Sequence, residues 1–456
     1  MLPIPAVVAL TLLREILRAT AMPLHAALYL LRRDAAQRRA REWLAHWPAA
    51  DTRDALPTFL RRHPPSRRTG RAHVFVSAGE ASGEMHATRL LLEVNRAADG
   101  QARWTAFGGD SLRAAGAEVV VPLSQNAIMG IGGVLRAIPF LLRTFARYLR
   151  VLRYDRPDLV VLVDYPGLHL VMAKAARRAG IPVIHYVAPQ YWAWAPWRMA
   201  RYRNAVDACL AILPFEPAFF QGSGVPCEYV GHPLIDHITE EQPDRNLVAR
   251  LHTDDWLCLL PGSRRGDIVR HLPGMLQVAH RLREKDPQAK VMIAHRDPRR
   301  SELIRGIVAR EGADFVFFEP GALDEKLAAA RVALVKSGTG SLEAALAGTP
   351  TVVVYHLVGG FWSFAYRNFL TVPWFAAANL ICGSPVVPER CFDGDAGWAW
   401  AADEVQRLWA AGEERMRCLN QLAEVRGRLG EPGASQRAAW WVLAALGLTQ
   451  IDTEAA

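Results

Sequence analysis

Short apolar runs rich in Val, Ile and Leu recur through most of the chain, each followed by small residues and then by a stretch with helical spacing. HVFVSA at 73–78, DLVVLVD at 158–164 and IPVIHYV at 181–187 form a first set. WLCLLPGS at 256–263, AKVMIAH at 289–295, DFVFF at 314–318, RVALVKSG at 331–338 and TPTVVVYH at 349–356 form a second. Continuous apolar runs of this length suit strands buried on both faces of a parallel sheet, and the helical stretches between them suit its crossovers. The pattern predicts an α/β protein with two Rossmann-like, doubly wound domains in tandem. The boundary falls in GHPLIDHITEEQPDRN at 231–246, where Gly231, Pro233 and a charged stretch part the two sets. This gives domains at 71–235 and 236–456 that face each other across a cleft, with ligands expected outside the carboxyl ends of the strands.

Ahead of these lies a segment of different character. Residues 2–13 and 22–31 are apolar but are broken by Pro3, Pro5, Arg14 and Glu15 and closed by Arg32 and Arg33. Neither run approaches the ~20 apolar residues that a spanning helix needs, and the arginines follow the apolar run where a signal peptide would place them before it. Residues 1–70 therefore read as a helical extension, either packed on the body or lying at a membrane interface, that ends in the basic linker RRHPPSRRTGR. Composition narrows the partners. A length of 456 residues with 54 Lys and Arg against 45 Asp and Glu describes a globular protein with a formal charge of +9, suited to an anionic partner. The six cysteines are scattered without metal-ligand spacing, so neither a zinc site nor a disulfide scaffold is expected, and a reducing cytoplasm fits.

Candidate chemistry sits where strands hand over to helices. After the first strand, Gly79 and Gly83 are read as permitting a tight turn, Ser82 as capping the following helix, and Glu80 and Glu84 as facing the ligand. No G-x-G-x-x-G or G-x-x-x-x-G-K-[ST] occurs, which argues against a dinucleotide or P-loop enzyme. In the second domain LLPGSRRGD sets Ser263, Arg264 and Arg265 at a strand end, where a guanidinium can fork across phosphate oxygens. VKSGTGSLEAALAGTP presents the N–H groups of Ser337, Gly338, Thr339 and Gly340 at a helix start, with Glu343 about one turn in and placed for ribose hydroxyls. Two such loops favour a nucleoside diphosphate. Asp393-Gly394-Asp395 has the D-x-D form of metal-dependent transferases but reads as a polar turn, and the histidines form no ligand triad.

Eight blocks in order, AGEASGE (78–84), MGIGGVLR (129–136), IHYVAPQYWAWAPWR (184–198), ILPFEPAFF (212–220), VGHPLID (230–236), LLPGSRRGDIVRHLP (259–273), SGTGSLEAALAGTP (337–350) and NLICGSPVVPE (379–389), resemble the lipid-A-disaccharide synthase family. The resemblance implies a GT-B glycosyltransferase joining UDP-2,3-diacylglucosamine to 2,3-diacylglucosamine 1-phosphate through a β(1→6) bond, with release of UDP and with no metal or other cofactor. It implies Asp164 as the base for the acceptor hydroxyl, the carboxylate at the tip of DLVVLVD. It also implies Glu80, Ser82, Met129, Glu343, Tyr355 and Asn379 as substrate-site residues, with Arg264 and the 337–340 loop at the diphosphate. The chain departs from the family pattern at Gly133, at Gly167 and His169 where a second acid and an asparagine are usual, and at Ser384 in place of an arginine.

A lipid substrate calls for a membrane surface, and PFLLRTFARYLRVLR sets Arg143, Arg147 and Arg150 on one helix face, with Arg136 seven residues earlier on the same stripe. The aromatic stretch FWSFAYRNFLTVPWF at 361–375 suits either acyl chains or interior packing. The expected location is the cytoplasmic face of the inner membrane of a Gram-negative-type bacterium. No nucleic-acid partner is expected, since the arginines lack an interleaved aromatic pattern, and a homo-oligomer is neither required nor excluded. Two other readings stay open: another UDP-sugar enzyme of this fold, such as an epimerase, and a non-catalytic lipid-binding paralogue.

Overall fold

The computed structural model describes residues 2–47, 54–65, 70–124, 130–240 and 243–449, with backbone alone at 46, 130–136 and 361. The described residues form two compact units, each built on a parallel sheet. The first sheet comprises β1 (Ala72–Ala78), β2 (Ala102–Phe107), β3 (Glu118–Val121), β4 (Leu159–Val163), β5 (Val183–Tyr186), β6 (Ala208–Ala211) and β7 (Cys227–Tyr229). Their spatial order is β3-β2-β1-β4-β5-β6-β7, with Ala78 level with Val163. The chain runs outward from β1 to β3 and then returns to lay β4 on the other side of β1. The winding therefore reverses between β1 and β4, and the loops after these two strands flank the crevice where such sheets bind ligands.

The second sheet repeats the plan with β8 (Trp256–Leu260), β9 (Lys290–Ile293), β10 (Val316–Phe318), β11 (Ala330–Lys336), β12 (Thr351–His356) and β13 (Glu389–Phe392). The order β10-β9-β8-β11-β12-β13 puts the reversal between β8 and β11, with Leu260 level with Val335. Every residue of β1, β4, β5, β6 and β8 is buried, as expected of strands covered on both faces. Each fully buried Val, Leu or Ile in them contributes about 1.5–3 kcal/mol.

The helices that matter below are α1 (Ile4–His46), α2 (Ala81–Ala97), α3 (Gly130–Arg150), α4 (Pro166–Arg178), α5 (Arg265–Lys285), α6 (Thr339–Leu346) and α7 (Ala434–Leu446). α1 starts at Pro3-Ile4-Pro5, where a missing N–H costs nothing because the first turn has no acceptor for it. α7 departs from the expected division of the chain. The first unit takes Met1–Asp236 together with Glu431–Ala456, and the second takes His237–Gly430, so the expected 236–456 domain gives up its last helix. The Asp236 carboxylate accepts the N–H groups of Gly433 (2.6 Å), Ala434 (3.1 Å) and Ser435 (3.2 Å), which anchors the start of α7. Trp441 and Val442 then join the first sheet's core, with Trp441 edge-on to Phe59 at 6.0 Å.

Candidate active site

Asp164 follows the last residue of β4, at the reversal point of the first sheet. It and Tyr165 both adopt left-handed backbone conformations, at φ +53° and +51°, before Pro166 opens α4. Asp and Asn are among the few residues that visit this region readily, and a bulky tyrosine does so only under constraint. The constraint is visible beneath the turn. The Asp164 N–H donates to the Tyr186 carbonyl at 3.0 Å, and the Asp164 carbonyl accepts from two imidazoles, His169 Nδ1 at 2.7 Å and His185 Nε2 at 3.0 Å. A carbonyl only accepts, so both contacting nitrogens carry hydrogen. Burial pushes the two pKa values down, to about 3 for His169 and about 4 for His185, so both rings are neutral and their second nitrogens are acceptors. Ser77 supplies the hydroxyl to His169 Nε2 at 2.9 Å, and Tyr202 supplies the phenol to His185 Nδ1 at 3.0 Å. A chain of buried, satisfied polar groups thus fixes the backbone that carries the carboxylate.

The loop after β1 lies beside this turn and differs in part from the sequence expectation. Gly79 has no left-handed backbone requirement; a Cβ there would fall 2.2 Å from the Tyr165 ring, so the glycine makes room for Tyr165 instead of turning the chain. Gly83 is buried where α2 crosses the strand ends, its Cβ position 3.4 Å from the Val163 carbonyl. Ser82 is not the cap: α2 begins at Ala81 with Glu80 in the capping position, and Ser82 is exposed within the first turn. Glu84 turns inward and accepts the N–H groups of Ser111 (2.9 Å) and Leu112 (3.4 Å) and the Ser124 hydroxyl, so its carboxylate is engaged in bracing the short helix Asp110–Ala114. Gly167, where the family has an acid, has open space at its Cβ position. Met129 lies outside the described residues, as does the side chain of Arg136. Arg143, Arg147 and Arg150 are exposed on α3, while Phe145 and Tyr148 are buried, Tyr148 lying 4.9 Å from Phe75.

In the second unit both candidate phosphate loops sit at the reversal point, side by side on β8 and β11. Gly262 is at φ +99° and its Cβ position is 2.9 Å from Asp267, so only glycine fits between the strand end and α5. Ser263 and Arg264 are exposed, Arg264 standing at the cap of α5. The Ser337 N–H is already committed to the Val354 carbonyl at 2.9 Å, which removes it from the expected anion site. Thr339 and Gly340, in the first turn of α6, have no intrahelical acceptor for theirs. Lys336, which the sequence reading did not single out, ends β11 between the two loops. Its ammonium lies 3.5 Å from Asp267 and 5.3 Å from the Tyr355 ring centre, and burial lowers its pKa, with Asp267 opposing the shift. Glu343 is paired with Arg296 at 3.1 Å, and Arg296 also meets Asp324 at 3.0 Å. Burial raises the Glu343 pKa against that pairing.

Asn379 corrects the expectation more firmly. It is fully buried, its amide donates to the Val387 carbonyl and to Glu389 at 3.0 Å each, and its carbonyl accepts from Val386 (2.8 Å) and Val387 (2.9 Å). All of its capacity is spent on shaping the 375–389 segment. Glu216, in the ILPFEP block, is likewise buried and accepts from Trp192 Nε1 at 3.0 Å and from the Ile212 and Leu213 N–H groups. In the aromatic stretch, Trp362 and Phe364 are exposed on the helix Gly360–Phe369. Among the described residues no group of three or more His, Cys, Asp or Glu could hold a metal ion.

Two doubly wound parallel sheets, each with polar loops at its reversal point, define the class as the GT-B fold of sugar-nucleotide transferases and epimerases. The S. aureus MnaA-UDP co-structure superposes with a TM-score of 0.56 at 14% identity, over 83% of this chain and 98% of that one. The glycotransferase of kitacinnamycin gives 0.51 at 19%, over 83% of this chain and 100% of its own. At such identities these likenesses speak to fold alone. Sequence supplies the rest: the family model described as Lipid-A-disaccharide synthetase matches residues 74–396. The Lipid-A-disaccharide synthase of Myxococcus xanthus is 36% identical over 379 residues, 82% of this chain and 98% of that protein. That of Geobacter metallireducens is 33% identical over 377 residues, 82% of this chain and 97% of that protein. The chain belongs to the lipid-A-disaccharide synthase family.

Proposed function

We propose that this chain transfers the diacylglucosaminyl group of UDP-2,3-diacylglucosamine to the 6-hydroxyl of 2,3-diacylglucosamine 1-phosphate, forming the β(1→6) disaccharide 1-phosphate of lipid A biosynthesis and releasing UDP. The observation that carries the reading is the family match over 74–396, which spans both reversal-point loop pairs. In this reading the Asp164 carboxylate takes the proton of the acceptor hydroxyl as its oxygen attacks the anomeric carbon. The bond from that carbon to the diphosphate breaks from the opposite side, so the centre inverts and the electron pair leaves with UDP. Arg264, Lys336 and the first N–H groups of α6 balance the charge that the diphosphate gains. Glu343, held by Arg296, and Tyr355 border the nucleotide, and Glu80 and Ser82 the acceptor. No cofactor is assigned a role.

Both substrates carry acyl chains, so the reading also puts the chain at the cytoplasmic face of the inner membrane of a Gram-negative-type bacterium. Arg143, Arg147 and Arg150 would meet anionic headgroups there, at about 1 kcal/mol each near the surface. No described helix is long and apolar enough to cross the bilayer. The test is direct: the purified protein, mixed in detergent with the two substrates, should release UDP and a disaccharide phosphate of the summed mass. UDP without a disaccharide, or neither product, overturns the reading.

A further inference from the structure

α1 lies wholly outside the 74–396 match, and its apolar residues fall on two faces. One face is held by its own unit. Tyr29 packs on Trp197 with ring centres 5.1 Å apart, Trp43 stacks on Phe215 at 5.8 Å, Ala40 and Leu44 are buried, and Glu15 meets Arg201 at 2.5 Å. At roughly 100° per residue these positions share one side of the helix. Leu10, Leu13, Leu17, Leu24, Leu28 and Leu31 fall on the opposite side and are 44–84% exposed. Their spacing of three, four, seven, four and three residues makes one stripe, roughly 30 Å long. A contiguous apolar surface of this extent marks an interaction site.

Charge indicates what covers it. Arg14 and Arg32 are exposed along one edge of the stripe, and residues 2–33 contain a single acid, Glu15, which is bound to Arg18 and Arg201 on the far side. A second copy of α1 would find no carboxylate within the stripe with which to pair its arginines: Asp34 lies past Leu31 and already meets Arg33 at 3.3 Å, and Glu42 lies two further turns on. An anionic bilayer satisfies both features, because leucines enter the boundary between headgroups and acyl chains while arginines meet phosphate. The stripe also joins an apolar groove of about 670 Å³ between the start of α1 and α3, walled by Val8, Leu12, Leu142 and Ala146 with Arg143 and Arg150 beside them. Ala9 lines that groove one turn from Leu13, so the two apolar surfaces are continuous.

We infer that α1 is an interfacial helix that lies along an anionic bilayer with its leucine stripe immersed, a docking element additional to the basic face of α3. The inference rests on the functional reading only for a membrane-borne substrate; the surface argument stands by itself. Co-sedimentation of the full chain with vesicles tests it. The protein should pellet with phosphatidylcholine vesicles containing phosphatidylglycerol, less with phosphatidylcholine alone, and less as salt rises. Leu17→Glu combined with Leu24→Glu should cut partitioning roughly tenfold or more, with circular dichroism and turnover on detergent-dispersed substrates unchanged. Undiminished pelleting of the double variant, or no preference for the anionic lipid, overturns the inference. So does a wild-type dimer that the double variant splits while neither protein binds vesicles. A protein that pellets but makes no disaccharide in detergent leaves this inference standing and removes the reaction.

Discussion

The Asp164 carboxylate is carried by a left-handed backbone pair that costs roughly 1–2 kcal/mol per residue, held in place by two neutral imidazoles on a single carbonyl. That geometry chooses the informative substitution. Alanine at φ +53° would add strain of its own, whereas asparagine tolerates the region and keeps the side chain's shape. Asp164→Asn should therefore lower turnover by about 10²–10⁴-fold with the melting temperature unchanged. Retention of more than about a tenth of wild-type turnover would move the base elsewhere. Asp164 stood out in the sequence through the family resemblance, since a carboxylate between DLVVLV and Tyr165-Pro166 reads by itself as a turn or cap residue. Its supports did not. His185 lies inside IPVIHYV and looks like a strand interior, Tyr202 lies in the basic RYRN stretch, and only the fold brings 77, 169, 185 and 202 under one carbonyl. His169 showed only as a departure from an expected asparagine, and the structure gives that departure a hydrogen-bonding task.

At the scale of elements, the strands within long apolar runs were visible and the shorter or more polar ones were not, for physical reasons. β6 reads ACLA and β7 has three residues, CEY, so neither carries enough apolar length to stand out. β13, ERCF, sits at a sheet edge where polar residues are tolerated. The loops followed the same logic. Gly79 stands out by its place after a strand, but what it and Gly262 make room for, Tyr165 and Asp267, belongs to other elements. Asn379 shows the limit of reading a role from a motif, since its four hydrogen bonds all go to its own segment. Asn379→Ala would orphan the N–H groups of Val386 and Val387 and should cost about 2–4 kcal/mol of stability. The surviving folded fraction should keep its kcat and its KM for the UDP-sugar. A raised KM with an unchanged melting temperature would instead make Asn379 a substrate contact.

The whole molecule carries an asymmetry between its two units that the sequence does not display, because it arises from which titratable groups the fold buries. In the first unit, burial lowers His86 to about 4, His169 to about 3, His185 to about 4 and His232 to about 3, from an ordinary 6.5. Each is neutral when folded and takes up a proton when unfolded below pH 6.5, so its contribution is complete above that value and is lost as pH falls toward the folded pKa. Glu216 acts in the opposite sense: burial raises it to about 7 from 4.5, so between those values the folded state holds the extra proton. From pH 6.5 down to 4.5 the first unit thus takes up about three net protons on unfolding, each worth about 1.4 kcal/mol per pH unit. In the second unit His271, lowered to about 4, and Glu389, raised to about 7, offset each other. Calorimetry at pH 7.5, 6.0 and 5.0 should accordingly show one transition moving down in temperature while the other holds. Limited proteolysis at the lowest pH should cut within the first sheet before the second. Transitions that move together, or do not move at all, would mean that these buried groups do not govern the acid response.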